Sequence, residues 1–109
     1  MNFKKYRKKV TESILPFINR EDQAYLALGI AGEAGEVADE IKKFLRRHNS
    51  KHKPTGKAKK RLVLELGDLF YYIVRFMELN DIKSNEVFET HIKKLSQIKK
   101  KYKNKHRTR

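Results

Sequence analysis

Apolar residues recur at helical spacing in four separate stretches of this chain. Phe3, Tyr6, Val10, Ile14 and Phe17 follow a period near 3.6 and predict a first helix over about residues 2–15, with Pro16 where the helix should stop. Leu26, Ile30, Val37, Ile41, Phe44 and Leu45 form the stripe of a second, longer helix, predicted from about Arg20 to Arg47. Asn19 is the expected N-cap, Glu21 and Asp22 fall in the expected first turn, and Arg46 and Arg47 suit the negative end of the helix dipole. His48 to Lys57 carries Pro54, Gly56 and no large apolar side chain, so it reads as a loop. Leu62, Leu66, Leu69, Ile73, Phe76 and Leu79 predict a third helix from about Ala58 to Asn80. Ser84 is the expected cap of a fourth, with Glu86 in its first turn and Val87, Phe88, Ile92, Leu95, Ile98 and Tyr102 as its apolar side.

No stretch alternates apolar and polar residues long enough to compete as a strand, and no internal repeat is present. The expectation is an all-α fold, a four-helix arrangement built around a long antiparallel middle pair. Residues 1–103 form its single domain, and residues 104–109, which lack an apolar anchor, are expected to be a basic flexible tail. A chain of 109 residues with a wet cleft buries little apolar area, which predicts association as a homodimer or homotetramer.

Charge and composition narrow the chemistry. There is no cysteine, so any metal must be held by oxygen or imidazole. No apolar run approaches the roughly 20 residues of a membrane span, and no leader pattern follows the basic start, so a soluble cytoplasmic protein without membrane contact is expected. The formal net charge is +14, from 27 Lys and Arg against 13 Asp and Glu, and it favours polyanionic partners. The positive residues crowd both ends and the middle linker, whereas acidic residues gather in two short windows.

Those windows are AGEAGEVADE, with Glu33 and Glu36, and LELGDLF, with Glu65 and Asp68. Each pair is spaced i to i+3, which puts both carboxylates on one helix face about one turn apart. In an antiparallel hairpin Glu36 would lie about 17 Å from the end of its helix and Glu65 about 11 Å into the next, close enough in height to face each other. Ala31, Gly32, Ala34, Gly35 and Gly67 are then expected to permit close helix approach, since helix-interior glycine otherwise costs about 1 kcal/mol. Four carboxylates aimed at one point raise one another's pKa unless a cation compensates. An all-oxygen ligand set points to Mg²⁺, Mn²⁺ or Ca²⁺, and Mg²⁺ in particular combines a few carboxylates with waters and substrate phosphates.

LGIAGEAGEVADEIKK followed by LELGDLFYYI resembles the MazG-like branch of the all-α nucleoside triphosphate pyrophosphatases, marked by an ExxE pair, a variable spacer and an ExxD pair. FKKYRKKV looks like that family's opening helix and HIKKLSQIKKKY like its closing one. The resemblance implies a MazG-like four-helix bundle in which Glu33, Glu36, Glu65 and Asp68 bind Mg²⁺, with Mn²⁺ as a substitute, and serve catalysis. The implied reaction is hydrolysis of a nucleoside triphosphate, ribo or deoxy, to the monophosphate and pyrophosphate. Lys43 matches the family's lysine after the first acidic motif and Lys94 the one in the closing helix; both are read as phosphate contacts or as solvated lysines. Tyr72, four residues after Asp68, stands where similar enzymes place a tyrosine beside the nucleotide, and it reads equally as a core aromatic. His91 replaces an asparagine common in the family, and Phe70 and Tyr71 stand where relatives carry leucine and tryptophan.

The competing reading is a basic helical nucleic-acid-binding module, carried by the net charge and the closing run from Lys99 to Arg109. It accounts for the tail but not for four carboxylates in the middle of the helix pair, which would repel a phosphate backbone. Both readings hold together if the tail adds weak nucleic-acid affinity to an enzyme.

Overall fold

The computed structural model describes residues 1–14 and 21–107, with side chains described as far as residue 105. Its elements are α1 (Phe3–Glu12), α2 (Gln23–Leu45), α3 (Gly56–Leu79) and α4 (Ser84–Arg107), with no strand among the described residues. The all-α expectation holds. No helix is long and apolar enough to cross a membrane among these residues.

α1 starts where Asn2 Oδ1 accepts the Lys5 backbone N–H at 2.9 Å. α2 starts later than the sequence predicts: Asp22, not a residue near Asn19, is its N-cap, accepting the Tyr25 N–H at 2.8 Å. Asn19 itself, with Leu15, Pro16, Phe17, Ile18 and Arg20, lies outside the described residues. Glu21 is thereby released from the expected first turn and turns to α3. There it accepts a 2.6 Å bond from Arg75 Nε and a 3.0 Å bond from the Tyr71 hydroxyl.

α2 and α3 form the antiparallel hairpin predicted from the sequence. At one end Gln23 exchanges side-chain hydrogen bonds of 2.6 and 3.1 Å with Asn80, and at the other Arg61 Nε reaches Glu40 at 3.2 Å. α1 lies against α3 through the Tyr6–Phe70 ring contact, at 6.4 Å between centroids, and through Glu78, which accepts from Thr11 Oγ1 at 2.8 Å and from Arg7 Nε at 3.3 Å.

The turn from α3 to α4 is a Schellman motif. The Ile82 N–H reaches the Met77 carbonyl at 2.9 Å and the Asp81 N–H reaches that of Glu78 at 3.3 Å, with Asp81 left-handed at φ 54°. Ser84 is then the first helical residue and not the cap that its sequence position suggests; the Glu86 carboxylate accepts the Lys83 backbone N–H at 3.2 Å. α4 runs to Arg107, continuing as helix through 104–107, where the sequence suggests a flexible tail. Nothing after Ser84 breaks a helix, and Lys and Gln are good helix formers.

Only Val10, Leu26, Val74 and Met77 are buried hydrophobics among the described residues. Phe3 meets Phe88 edge-on at 5.6 Å, but residues 85–105 are exposed throughout and α4 projects from the hairpin without packing along it. The radius of gyration, 18.1 Å, is well above the roughly 13 Å of a compact chain this long.

Candidate metal centre

The hairpin brings Glu33 of α2 together with Glu65 and Asp68 of α3. Each offers a carboxylate oxygen, and the three oxygens all lie within 4.8 Å of one another. Glu33 and Glu65 are half-buried and Asp68 is exposed. The fourth carboxylate of the sequence motif, Glu36, is exposed and outside this group. The two i to i+3 pairs thus do not converge as a symmetric set of four.

The electrostatics record the crowding. Glu33 is raised above the ordinary carboxylate value first by desolvation, then by the charges of Asp68 and Glu36. Glu65 is raised by desolvation and then by Glu36, Asp68, Glu33 and Glu40 in that order, so Glu36 acts on the cluster even from outside it. Among the described residues, no lysine or arginine is a main cause of either shift. Three carboxylates from two helices, without nitrogen or sulfur donors, fit a hard divalent cation.

Tyrosines line the neighbouring stretch of the hairpin. Tyr72 has its hydroxyl raised to about 12 by its hydrogen bond with Tyr25, then by desolvation, with Glu33 among the nearby charges. Its ring lies 6.1 Å from that of Tyr25 and 5.4 Å from that of Tyr71. Tyr72 thus packs in the helix interface, as a core aromatic would, on the side of the acidic cluster. Tyr25 escaped the sequence reading, and the α1 residue Tyr6 entered it only as part of an apolar stripe. The Tyr6 hydroxyl donates to the Gly67 carbonyl at 3.4 Å and is raised by desolvation and by Asp68. Only the i to i+4 spacing of Tyr6 with Val10 hinted at its inward face.

The glycines differ from expectation. A Cβ at Gly32, Gly35 or Gly67 would meet nothing within 4 Å, so these residues do not serve close approach of α2 and α3 within the chain. The close approach is at Gly29, over which the Tyr72 ring lies.

The remaining predicted contacts are not gathered at the cluster. Lys43 is on α2, held by Asp39 at 3.2 Å and Glu40 at 3.8 Å, and its pKa is raised chiefly by the hydrogen bond to Asp39. His91 and Lys94 lie on the exposed face of the projecting α4.

The MazG nucleotide pyrophosphohydrolase domain matches residues 21–106, which include the hairpin, the three carboxylates and nearly all of α4. This chain belongs to the MazG nucleotide pyrophosphohydrolase family. A curated relative, the Gene 37 protein of Mycobacterium phage L5, is 32% identical over 79 residues, covering 72% of this chain and 68% of that protein. No solved structure gives a significant match.

Proposed function

We propose that this MazG protein is a Mg²⁺-dependent nucleoside triphosphate pyrophosphohydrolase, releasing pyrophosphate and the nucleoside monophosphate. The observation that carries the reading is the set of three carboxylate oxygens within 4.8 Å of one another, contributed by both helices. Glu33, Glu65 and Asp68 would hold the cation, with Glu36 at the rim. A divalent cation held there would neutralise triphosphate charge and lower the pKa of a bound water. One of the four carboxylates would also take the proton of an attacking water. Tyr72 supports the nucleotide from the hairpin side, and Lys43 meets the phosphates if it exchanges Asp39 for them.

The working form is a homodimer or homotetramer. The small core and the exposed α4 face, with Ile92, Leu95, Ile98 and Tyr102 at 60%, 45%, 51% and 65% exposure, support it. Within one chain α4 does not pack along the hairpin, so His91 and Lys94 act on substrate from a neighbouring copy. A panel of ribo- and deoxyribonucleoside triphosphates assayed with and without Mg²⁺, with products separated by chromatography, tests the activity. Accumulation of diphosphate and orthophosphate would refute it.

A further inference from the structure

The end of the hairpin away from the Gln23–Asn80 contact has a charge pattern that hydrolysis of a small substrate does not require. Of the twenty residues from 42 to 61, ten are Lys or Arg and none is Asp or Glu, and all ten are exposed. They lie on the last turns of α2, the loop and the first turns of α3, so the patch wraps the whole tip. Lys43 and Arg61 are tied to Glu40, at 3.8 and 3.2 Å, which fixes the two helices to each other beneath the tip. Among the described residues, Arg46 and Arg47 have no ion-pair partner. With His48, Arg61, Phe44 and, at its base, the Glu40 carboxylate already paired to Arg61, they line an open cavity of about 330 Å³. The His48 ring is stacked on Phe44, with centroids 4.4 Å apart and planes 15° from parallel, and His52 meets His48 edge-on at 6.0 Å. Phe44 is half-buried, so it backs His48 as a braced aromatic surface beside the two free arginines.

We propose that the hairpin tip is a docking surface for single-stranded nucleic acid, with the arginines and loop lysines on the phosphates and the His48 ring as a stacking platform. Cationic side chains along a strand interleaved with aromatic rings are what such binding needs, and every base offers a face to stack. A patch extending over two helix ends and a loop exceeds what one triphosphate neutralises. The loop has no large apolar side chain to enter a bilayer, and flat aromatic stacking adds nothing to a lipid headgroup contact.

Fluorescence anisotropy with a labelled single-stranded oligonucleotide of about 16 nucleotides, across a salt series, tests this. Replacing Arg46, Arg47, Lys51 and Lys53 by Gln together should weaken binding at least about tenfold and reduce the salt slope by roughly 0.7 for each phosphate that is no longer neutralised. His48→Ala should weaken binding with the slope unchanged. A control with Lys100, Lys101 and Lys103 changed to Gln should keep most of the affinity. Far-UV circular dichroism and triphosphate hydrolysis, both expected to match wild type, show that the tip variant is folded, and Arg47→Gln alone should show a smaller loss in the same direction. The proposal is overturned if the tip variants bind like wild type, if the α4 control loses as much, or if anionic vesicles displace the probe better than unlabelled oligonucleotide.

Discussion

The ring of Tyr72 lies over Gly29, so closely that even a methyl group at position 29 would occupy its space. The small residue on α2 is what allows a tyrosine on α3 to pack between the helices and hydrogen-bond with Tyr25 beside the acidic cluster. Gly29→Ala should therefore destabilise the protein by about 1–3 kcal/mol through overpacking, outweighing the roughly 1 kcal/mol that alanine gains over glycine in a helix. Gly67→Ala, with open space around it, should stabilise by up to about 1 kcal/mol. Urea midpoints measured on both variants check the contrast. A loss at Gly67 as large as that at Gly29 would mean that another chain fills the space beside it.

Asp81 turns the chain from α3 to α4 in the left-handed region, at φ 54°. A side chain there costs energy that glycine avoids, and the two backbone bonds of the motif do not involve the carboxylate. Asp81→Gly is expected to raise stability by about 0.5–1 kcal/mol with activity unchanged, by the same urea measurement.

Much of this was legible in the sequence, and the misses share a cause. Helix periodicity marked out the four elements, because an apolar stripe on a long helix is a local signal. The start of α2 was misplaced because Glu21 is drawn to Arg75 and Tyr71, fifty residues away and more, which no local capping rule anticipates. The spacing of Glu33, Glu36, Glu65 and Asp68 correctly indicated that α2 and α3 share an acidic face. It did not reveal that Glu36 stays outside the group, since that depends on the rotation of each helix about its axis. Gly32, Gly35 and Gly67 drew attention because they flank the motif, yet the glycine under the tyrosine ring is Gly29, whose partner is set by the register of the hairpin.

The separation of Glu36 from the other carboxylates predicts a graded response to neutralisation. Glu65→Gln and Asp68→Asn should each reduce kcat/KM by about 10²-fold or more, and Glu36→Gln by clearly less, with Mg²⁺ affinity by titration calorimetry following the same order. Equal losses in all three variants would show that Glu36 closes on the cation in the loaded site.

The raised pKa values of Glu33 and Glu65 set the direction of a pH effect in metal-free protein. A carboxylate whose folded pKa exceeds its unfolded value of about 4.3 binds protons more readily in the folded state between those two values. Stability is therefore greatest below the unfolded pKa and declines as pH rises through the raised folded value. Glu65→Gln should accordingly melt higher than wild type at neutral pH in the presence of a chelator, with the difference vanishing near pH 4. Saturating Mg²⁺ should stabilise wild type at neutral pH and reverse the order. Thermal melts at several pH values, with chelator and with Mg²⁺, check both signs.

The last prediction concerns α4, whose apolar side is exposed from Val87 to Tyr102. Among the described residues, one ring contact, Phe3 to Phe88, links this 24-residue helix to α1, and its apolar side gains little from packing against them. Burying Ile92, Leu95 and Ile98 against another copy would remove three large side chains from water, each worth about 1.5–3 kcal/mol when fully covered. Leu95→Glu with Ile98→Glu should therefore shift the light-scattering mass to a smaller species and lower the helical content. In wild type the melting temperature should rise with protein concentration, as linked association requires, and in the double variant that dependence should disappear. In the proposed assembly, where His91 and Lys94 would meet the cluster of another copy, hydrolysis should fall with it. A double variant that keeps the wild-type mass would place the subunit contact elsewhere and leave α4 exposed in the assembled protein.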